Sequence, residues 1–435
     1  MAKSGIDMLN GRLAPPILRF TIPVILTGVL QLLFHACDLA VAGRFAGSDS
    51  LAAVGSTTHL ANLLVNTVLG LSIGANVVAA RSIGAGTRER TARTAHTAMA
   101  LSVLCGILLA CCGGFVAKPC LEMMSTPADI LDLATDYLTI YFLGMPGMMV
   151  FSFAAALLRA QGETRKPLIY LTIAGIVNIL LNLLFVIVFH MAAEGVALAT
   201  AISQYLSAVL IVRHLMLTPG DCRLHLRKLR LHGAELKSII YIGVPSGLNS
   251  TVFSLSNIQV QSAVNSFGSS AVAGCAAAGS VEGFVYLASN SQMHASTVFT
   301  GQNAGAGLWK RIPRILWICL LYATVIDVLL GGLVLVFGEP LLSLYTAEPQ
   351  DISFGMARII VLMVAYSICG YMAVFTGMLR GLGYAVTPTV VTLTCVCGFR
   401  FFWVYAVFPH WPELWVLFLC FPISWLIATA AHATC

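Results

Sequence analysis

The sequence predicts an all-α integral membrane protein of 12 transmembrane helices, arranged as two six-helix bundles in parallel repeat. Three observations carry that prediction. Apolar residues fill 58% of 435 positions and charged residues only 10%, against roughly 25% charged in a soluble domain, so the chain takes lipid as its solvent. The apolar runs are about 20 residues long, which suits helices and not barrel strands, and lipid leaves no other way to pair backbone N–H and C=O groups. Finally, a shift of 221 residues lays the second half on the first. Phe45-Ala46-Gly47-Ser48 falls on Ser266-Phe267-Gly268-Ser269, Gly84-Ala85-Gly86 on Gly305-Ala306-Gly307, and Leu158-Arg159 on Leu379-Arg380, without a gap from about residue 45 to 167.

The elements follow from apolar length and from the basic residues that close them. Span 1, near 15–38, follows Lys3 and Arg12. Span 2 (51–79) ends at Arg81, Arg88, Arg90 and Arg93, before span 3 (94–117). Span 4 (137–157) is closed by Arg159, Arg165 and Lys166; spans 5 (167–189) and 6 (193–215) follow. A basic stretch from Arg213 to Lys237 separates the halves. Spans 7 (238–264) and 8 (272–298) end at Lys310, Arg311 and Arg314, spans 9 (314–337) and 10 (355–378) at Arg380, and spans 11 (386–408) and 12 (412–432) complete the chain.

Of the 24 basic residues, all but Arg44, Lys118, Arg358 and Arg400 fall on one side. The positive-inside rule makes that side cytoplasmic, with both termini. Basic clusters recur on the same side at the repeat offset, so each half holds an even number of spans, six and six. The expected organisation is an N-lobe (1–215), a basic cytoplasmic linker (216–237) and a C-lobe (238–435).

The first residues lack a signal-peptide core. The 13 cysteines have no spacing that suggests disulfides or zinc. The net charge of +6 is the loop bias and gives no reason to invoke nucleic acid. Histidines are scattered, with neither H-E-x-x-H nor G-x-S-x-G, so no enzyme and no cofactor are expected.

Three acids fall inside spans: Asp38, Glu282 and Asp327. Their repeat mates are Gln259, Ala61 and Gly106, so the buried charges were not kept when the scaffold was duplicated. Each costs about 2.5–3.5 kcal/mol at mid-membrane on insertion scales and calls for a role. Asp38 lies beyond Pro23, a kink-forming residue in span 1. Glu282 reads either as a cavity group or as a structural acid, Asp327 as structural or interfacial, and Arg400 as a packing residue that needs a partner. Asn178 and Asn182 stand one turn apart on span 5, with Thr200 on span 6; alone, they read as interhelical hydrogen-bonding groups.

At these residues the chain resembles the multidrug and toxic compound extrusion (MATE) family, in its DinF-like prokaryotic branch. The matching stretches are Gln31 to Asp38 with Gly43-Arg44-Phe45-Ala46-Gly47, Gly70 to Gly74, Gly195 to Thr200, Gly301 to Ala306, and the Leu158-Arg159 and Leu379-Arg380 copies. The resemblance implies a V-shaped fold of the MOP superfamily and a secondary antiporter exporting amphipathic organic cations in exchange for H⁺ or Na⁺ by alternating access. It places cation or proton coupling, and a Na⁺ site, on Asp38, Asn178, Asn182 and Thr200, and the helix-1 kink on Pro23. Asn182 departs from the pattern, because that branch usually has a second carboxylate there. Gln31, Gln259, Glu282 and Met293 are expected to line a substrate cavity. The expected setting is the prokaryotic cytoplasmic (cell inner) membrane, with a monomer in contact with lipid. The alternative within the superfamily is a flippase for lipid-linked precursors, which calls for a cationic cavity.

Overall fold

The structure is a computed structural model that describes residues 5–123 and 126–435, with side chains throughout except at positions 48, 51, 58–64 and 67. Among the described residues there is no strand, and 12 helical rods follow in chain order. They are α1 (Ala14–Phe45), α2 (Ser48–Gly84), α3 (Arg88–Met123), α4 (Ala128–Leu143 continuing as Met145–Ala160) and α5 (Arg165–Val188). Next come α6 (Ala193–Leu217), α7 (Gly233–Asn265), α8 (Ser269–Gly305) and α9 (Trp309–Val336). The last are α10 (Pro349–Val364 continuing as Tyr366–Gly381), α11 (Val386–His410) and α12 (Leu414–Ala433).

Eight rods are long and apolar enough to cross a membrane as they stand, and the bent pairs α4 and α10 bring the number to ten. The other two, α2 and α7, are long but carry many small polar residues. Along α7 the hydroxyls of Ser250, Thr251 and Ser254 donate to carbonyls one turn back at 3.4, 3.2 and 3.0 Å. Hydroxyls satisfied within their own helix are no bar to an apolar setting. Large apolar side chains such as Phe115, Leu180, Leu329 and Tyr405 point outward, as expected of surfaces that face lipid.

The repeat reaches the backbone. Left-handed glycines recur in pairs at the 221-residue offset: Gly47 (φ 94°) with Gly268 (φ 96°), Gly86 (φ 68°) with Gly307 (φ 72°), and Gly162 (φ 83°) with Gly383 (φ 95°). Gly47 and Gly268 are the joints that start α2 and α8, a conformation that a Cβ would make costly. The helix break is copied too. α4 bends by 42° at Gly144 and α10 by 51° at Ala365. Pro146 accounts for the first, having no N–H to complete the turn; α10 bends more with no proline at its break.

The chain falls into two compact units. One comprises residues 5–7 with Leu26–Val244, the other Met8–Ile25 with Pro245–Cys435. The division passes through α1 and α7, so each of these helices begins in one unit and ends in the other. α1 continues helical through Pro23, where the sequence predicts a kink. In the second unit the early segment is tied down by hydrogen bonds. The Asn303 amide donates to the Met8 carbonyl at 3.0 Å, the Arg311 guanidinium to that of Gly11 at 3.3 Å, and the Tyr322 hydroxyl to that of Ala14 at 3.0 Å.

Within the first unit, α2 and α7 cross at Gly74 and Gly243, where a Cβ on Gly74 would lie 2.8 Å from the Gly243 nitrogen. Backbone is the obstacle there, not a flexible side chain. Gly74→Ala is therefore expected to cost roughly 1–3 kcal/mol, as overpacking does. Thermal unfolding of the purified protein in detergent checks this, and an unchanged midpoint would contradict the close crossing.

Candidate functional site

In the first unit α1, α5 and α6 bring Asp38, Asn178, Asn182 and Thr200 into one closed ring of hydrogen bonds. The Asn182 amide nitrogen donates to Asp38 Oδ1 at 2.5 Å and to Asn178 Oδ1 at 3.3 Å. The Asn178 amide donates to Thr200 Oγ1 at 3.3 Å, and the Thr200 hydroxyl donates to Asp38 Oδ2 at 3.2 Å. Asp38 is 9% exposed and Asn182 not at all. The one acceptor left over is Asn182 Oδ1, buried without a partner.

Local sequence explains the approach. A Cβ on Gly175 would overlap the Phe34 ring, so glycine lets α5 lie against α1 one turn before Asn178 and Asp38. Ala193 and Ala197 on α6 pack with Val41, Ala42, Val54, Tyr137 and Val186 as an apolar backing. Immediately after Asn182 the helix loosens into a π-turn, Leu184–Val188; such turns frequently mark functional sites.

The ring offers five oxygens from four side chains and no nitrogen base. That donor set suits a proton or a hard monovalent cation, and the orphaned Asn182 oxygen is a ready further ligand. No cluster of three His, Cys, Asp or Glu suited to a metal occurs among the described residues. Among the described residues no cationic side chain is hydrogen-bonded to Asp38, so an ionised Asp38 can attract a cation from outside the protein.

Sequence reasoning missed two aromatic neighbours. Tyr137 and Tyr141 of α4 are stacked at 6.1 Å, and both lie within electrostatic reach of Asp38. Their spacing of one turn was the available signal. Gln31 is exposed on α1, two turns before Asp38.

The remaining predicted residues belong to the second unit. Glu282 accepts from Arg358 Nη2 at 2.7 Å and Nε at 3.2 Å, so it does not present an unbalanced charge. Met293 accepts from Arg380 through its sulfur at 3.3 Å. Gln259 has both amide atoms buried and unpartnered. Asp327 accepts from Ser289 at 2.6 Å and is buried.

Duplicated sets of membrane-length helices, one of which holds a buried carboxylate whose hydrogen-bond partners among the described residues are neutral, define a multi-pass membrane transport protein. Comparison with known proteins gives its family. The MatE model matches residues 23–184 and 245–406, and the chain belongs to that family of transporters. It is 26% identical to the probable multidrug resistance protein YoeA of Bacillus subtilis over 386 residues, covering 87% of this chain and 83% of the relative. It is 24% identical to the FAD transporter of Shewanella oneidensis, over 88% and 86% of the two chains. A MOP superfamily transporter from Pyrococcus furiosus shares the fold with a TM-score of 0.92 at 20% identity, over 99% of this chain and 97% of that one.

Proposed function

We propose that the protein is a secondary antiporter that expels amphipathic organic cations across the cytoplasmic membrane in exchange for H⁺ or Na⁺, with Asp38 as the group that ion and cargo share in turn. The observation that carries this reading is the ring of Asp38, Asn178, Asn182 and Thr200: one buried carboxylate held among three neutral oxygens. A monovalent ion balances a single carboxylate, whereas a divalent ion would leave excess charge. Exchange follows when an inward-flowing ion displaces a cationic cargo, provided that each favours a different conformation; binding alone shifts nothing.

In this reading, residues 1–215 and 238–435 are the two lobes, joined by the basic linker, and both termini are cytoplasmic. The protein works as a monomer. The relatives named for multidrug resistance support a broad cargo range. Aromatic and methionine surfaces such as Tyr137, Tyr141 and Met293 repack around varied ligands.

Purified protein in liposomes, loaded with a fluorescent organic cation, tests the reading under separately imposed pH and Na⁺ gradients. Efflux that responds to one gradient and not to the other is expected and identifies the ion. Efflux indifferent to both would overturn the antiport scheme.

A further inference from the structure

The second unit holds a site at the place that corresponds to the Asp38 ring, and its polarity is reversed. The helix starts keep the 221-residue offset beyond residue 167, Arg165 with Val386 and Ala193 with Leu414; carried along these helices, it turns Asp38 into Gln259, Asn178 into Phe399, Asn182 into Trp403 and Thr200 into Phe421. The acid and its oxygen partners have given way to an amide and three aromatic rings. Among them stands Arg400, whose own counterpart in the first half is Ile179.

Arg400 is 0% exposed. Its Nε donates to Ser424 Oγ at 3.2 Å, and its Nη1 donates to Ser256 Oγ at 3.4 Å and to Asn257 Oδ1 at 2.8 Å. The guanidinium lies 4.2 Å over the Phe421 ring and 5.3 Å from that of Phe253. Every one of these partners is neutral. The acid whose field reaches Arg400 is Glu282, and Arg358 already holds that carboxylate. Nη2 is buried with no partner. On the same face of α7 as Ser256, one turn on, Gln259 also has its amide buried and unpartnered.

A buried cation without a counter-charge is costly, and an unsatisfied N–H beside it adds to the cost. The other buried arginine of this unit, Arg380, has a repeat mate in Arg159 and belongs to the shared scaffold; Arg400 does not. The helix around it is also unusual. π-helical segments Thr392–Gly398 and Trp403–Val407 flank it on both sides, whereas α5 has one such segment, after Asn182. Asn257, which is exposed, stands between the guanidinium and the surface of the unit.

We propose that Arg400, with Gln259 and Asn257, is an anion-binding subsite that takes the carboxylate of an aromatic cargo molecule, the guanidinium pairing with the oxygens and Phe421 and Phe253 cushioning the ring system. Cargo would then include zwitterions and aromatic acids as well as plain cations. This goes beyond the exchange role of Asp38 and does not depend on it.

A matched dye pair tests the subsite. Rhodamine 110 carries a free carboxylate and rhodamine 123 is its methyl ester, so the ring and its positive charge are common to both. Binding is followed by fluorescence anisotropy with the full chain in phosphatidylcholine nanodiscs. The acid is expected to bind about tenfold more tightly than the ester, as one charge-assisted pair allows. Arg400→Gln should erase that preference. If Arg400→Gln does not fold, Asn257→Asp serves instead: it places a carboxylate where an amide oxygen already meets Arg400, at no change in size, and should erase the preference equally. Equal affinities for acid and ester in the wild type, or a preference that survives these substitutions, overturns the proposal. Nanodiscs containing phosphatidylglycerol separate the two sources of an anionic group. A preference that persists there supports cargo, and one that collapses there assigns the site to a net-anionic lipid headgroup and overturns the cargo reading. Ester binding that ignores Asp38→Asn counts against the Asp38 scheme alone.

Discussion

Asp38→Asn is expected to abolish gradient-driven export while leaving a folded protein. The substitution keeps the shape of the side chain and removes its charge. An asparagine oxygen accepts from Asn182 or Thr200 as the carboxylate does, and the new amide N–H can donate to the Asn182 oxygen that now has no partner. One bond is lost at the former carboxylate and one gained at the Asn182 oxygen, while the cost of a buried carboxylate disappears, so the melting temperature should hold or rise. Function goes the other way. Losing an ionised partner weakens cation binding by ~10–100-fold, and it leaves nothing for a coupling ion to neutralise. Liposome efflux and thermal unfolding of the same preparation check both halves. Wild-type, gradient-dependent efflux from Asp38→Asn would remove this residue from the mechanism; a lost fold would show that the ring is structural.

The second large effect lies in the second unit. Glu282→Gln is expected to destabilise the protein by about 3–5 kcal/mol, because it strands Arg358 in a partly buried setting. Two N–H groups of Arg358 converge on one oxygen of Glu282, Oε2, and both side chains are only 16% exposed. Arg358 also lies over the rings of Phe418 and Phe421, at 5.6 and 5.9 Å. Phe421 is shared with Arg400, so a displaced Arg358 disturbs two cations at once. Replacing both partners, Glu282→Leu with Arg358→Met, should recover most of the loss, since a well-packed apolar pair often matches a buried ion pair. Chemical or thermal unfolding of the single and double variants measures the difference. A single variant as stable as wild type would mean that the pair is solvated in the membrane protein.

Much of the fold is legible in the sequence because lipid imposes one rule, internal pairing of every backbone group, and apolar length plus basic loops then mark the helices. The ring around Asp38 is partly legible for a similar reason. A lone acid in a span has to find polar company, and Asn178, Asn182 and Thr200 were conspicuous in otherwise apolar helices. Long-range pairing is not written so plainly. Glu282 and Arg358 meet across 76 residues, and nothing local in either span announces the other. Arg400 could be recognised as needing partners, but its serines and asparagine lie on two other helices. The π-turns beside Asn182 and Arg400 leave no compositional mark, because their side chains are those of any membrane helix. The bend at Ala365 is silent too, as its counterpart has Pro146 close by and α10 does not.

The passage of α1 and α7 from one unit to the other sets an order on biosynthesis. Met8–Ile25 leaves the ribosome well before the rest of its unit, and its partners, Asn303, Arg311 and Tyr322, are translated some three hundred residues later. Until then this opening segment waits in the bilayer without its neighbours. The half made first can reach its final form only with the start of α7, and the half made last only by reaching back to the start of the chain. A nascent polypeptide stalled at its midpoint would therefore hold two incomplete halves.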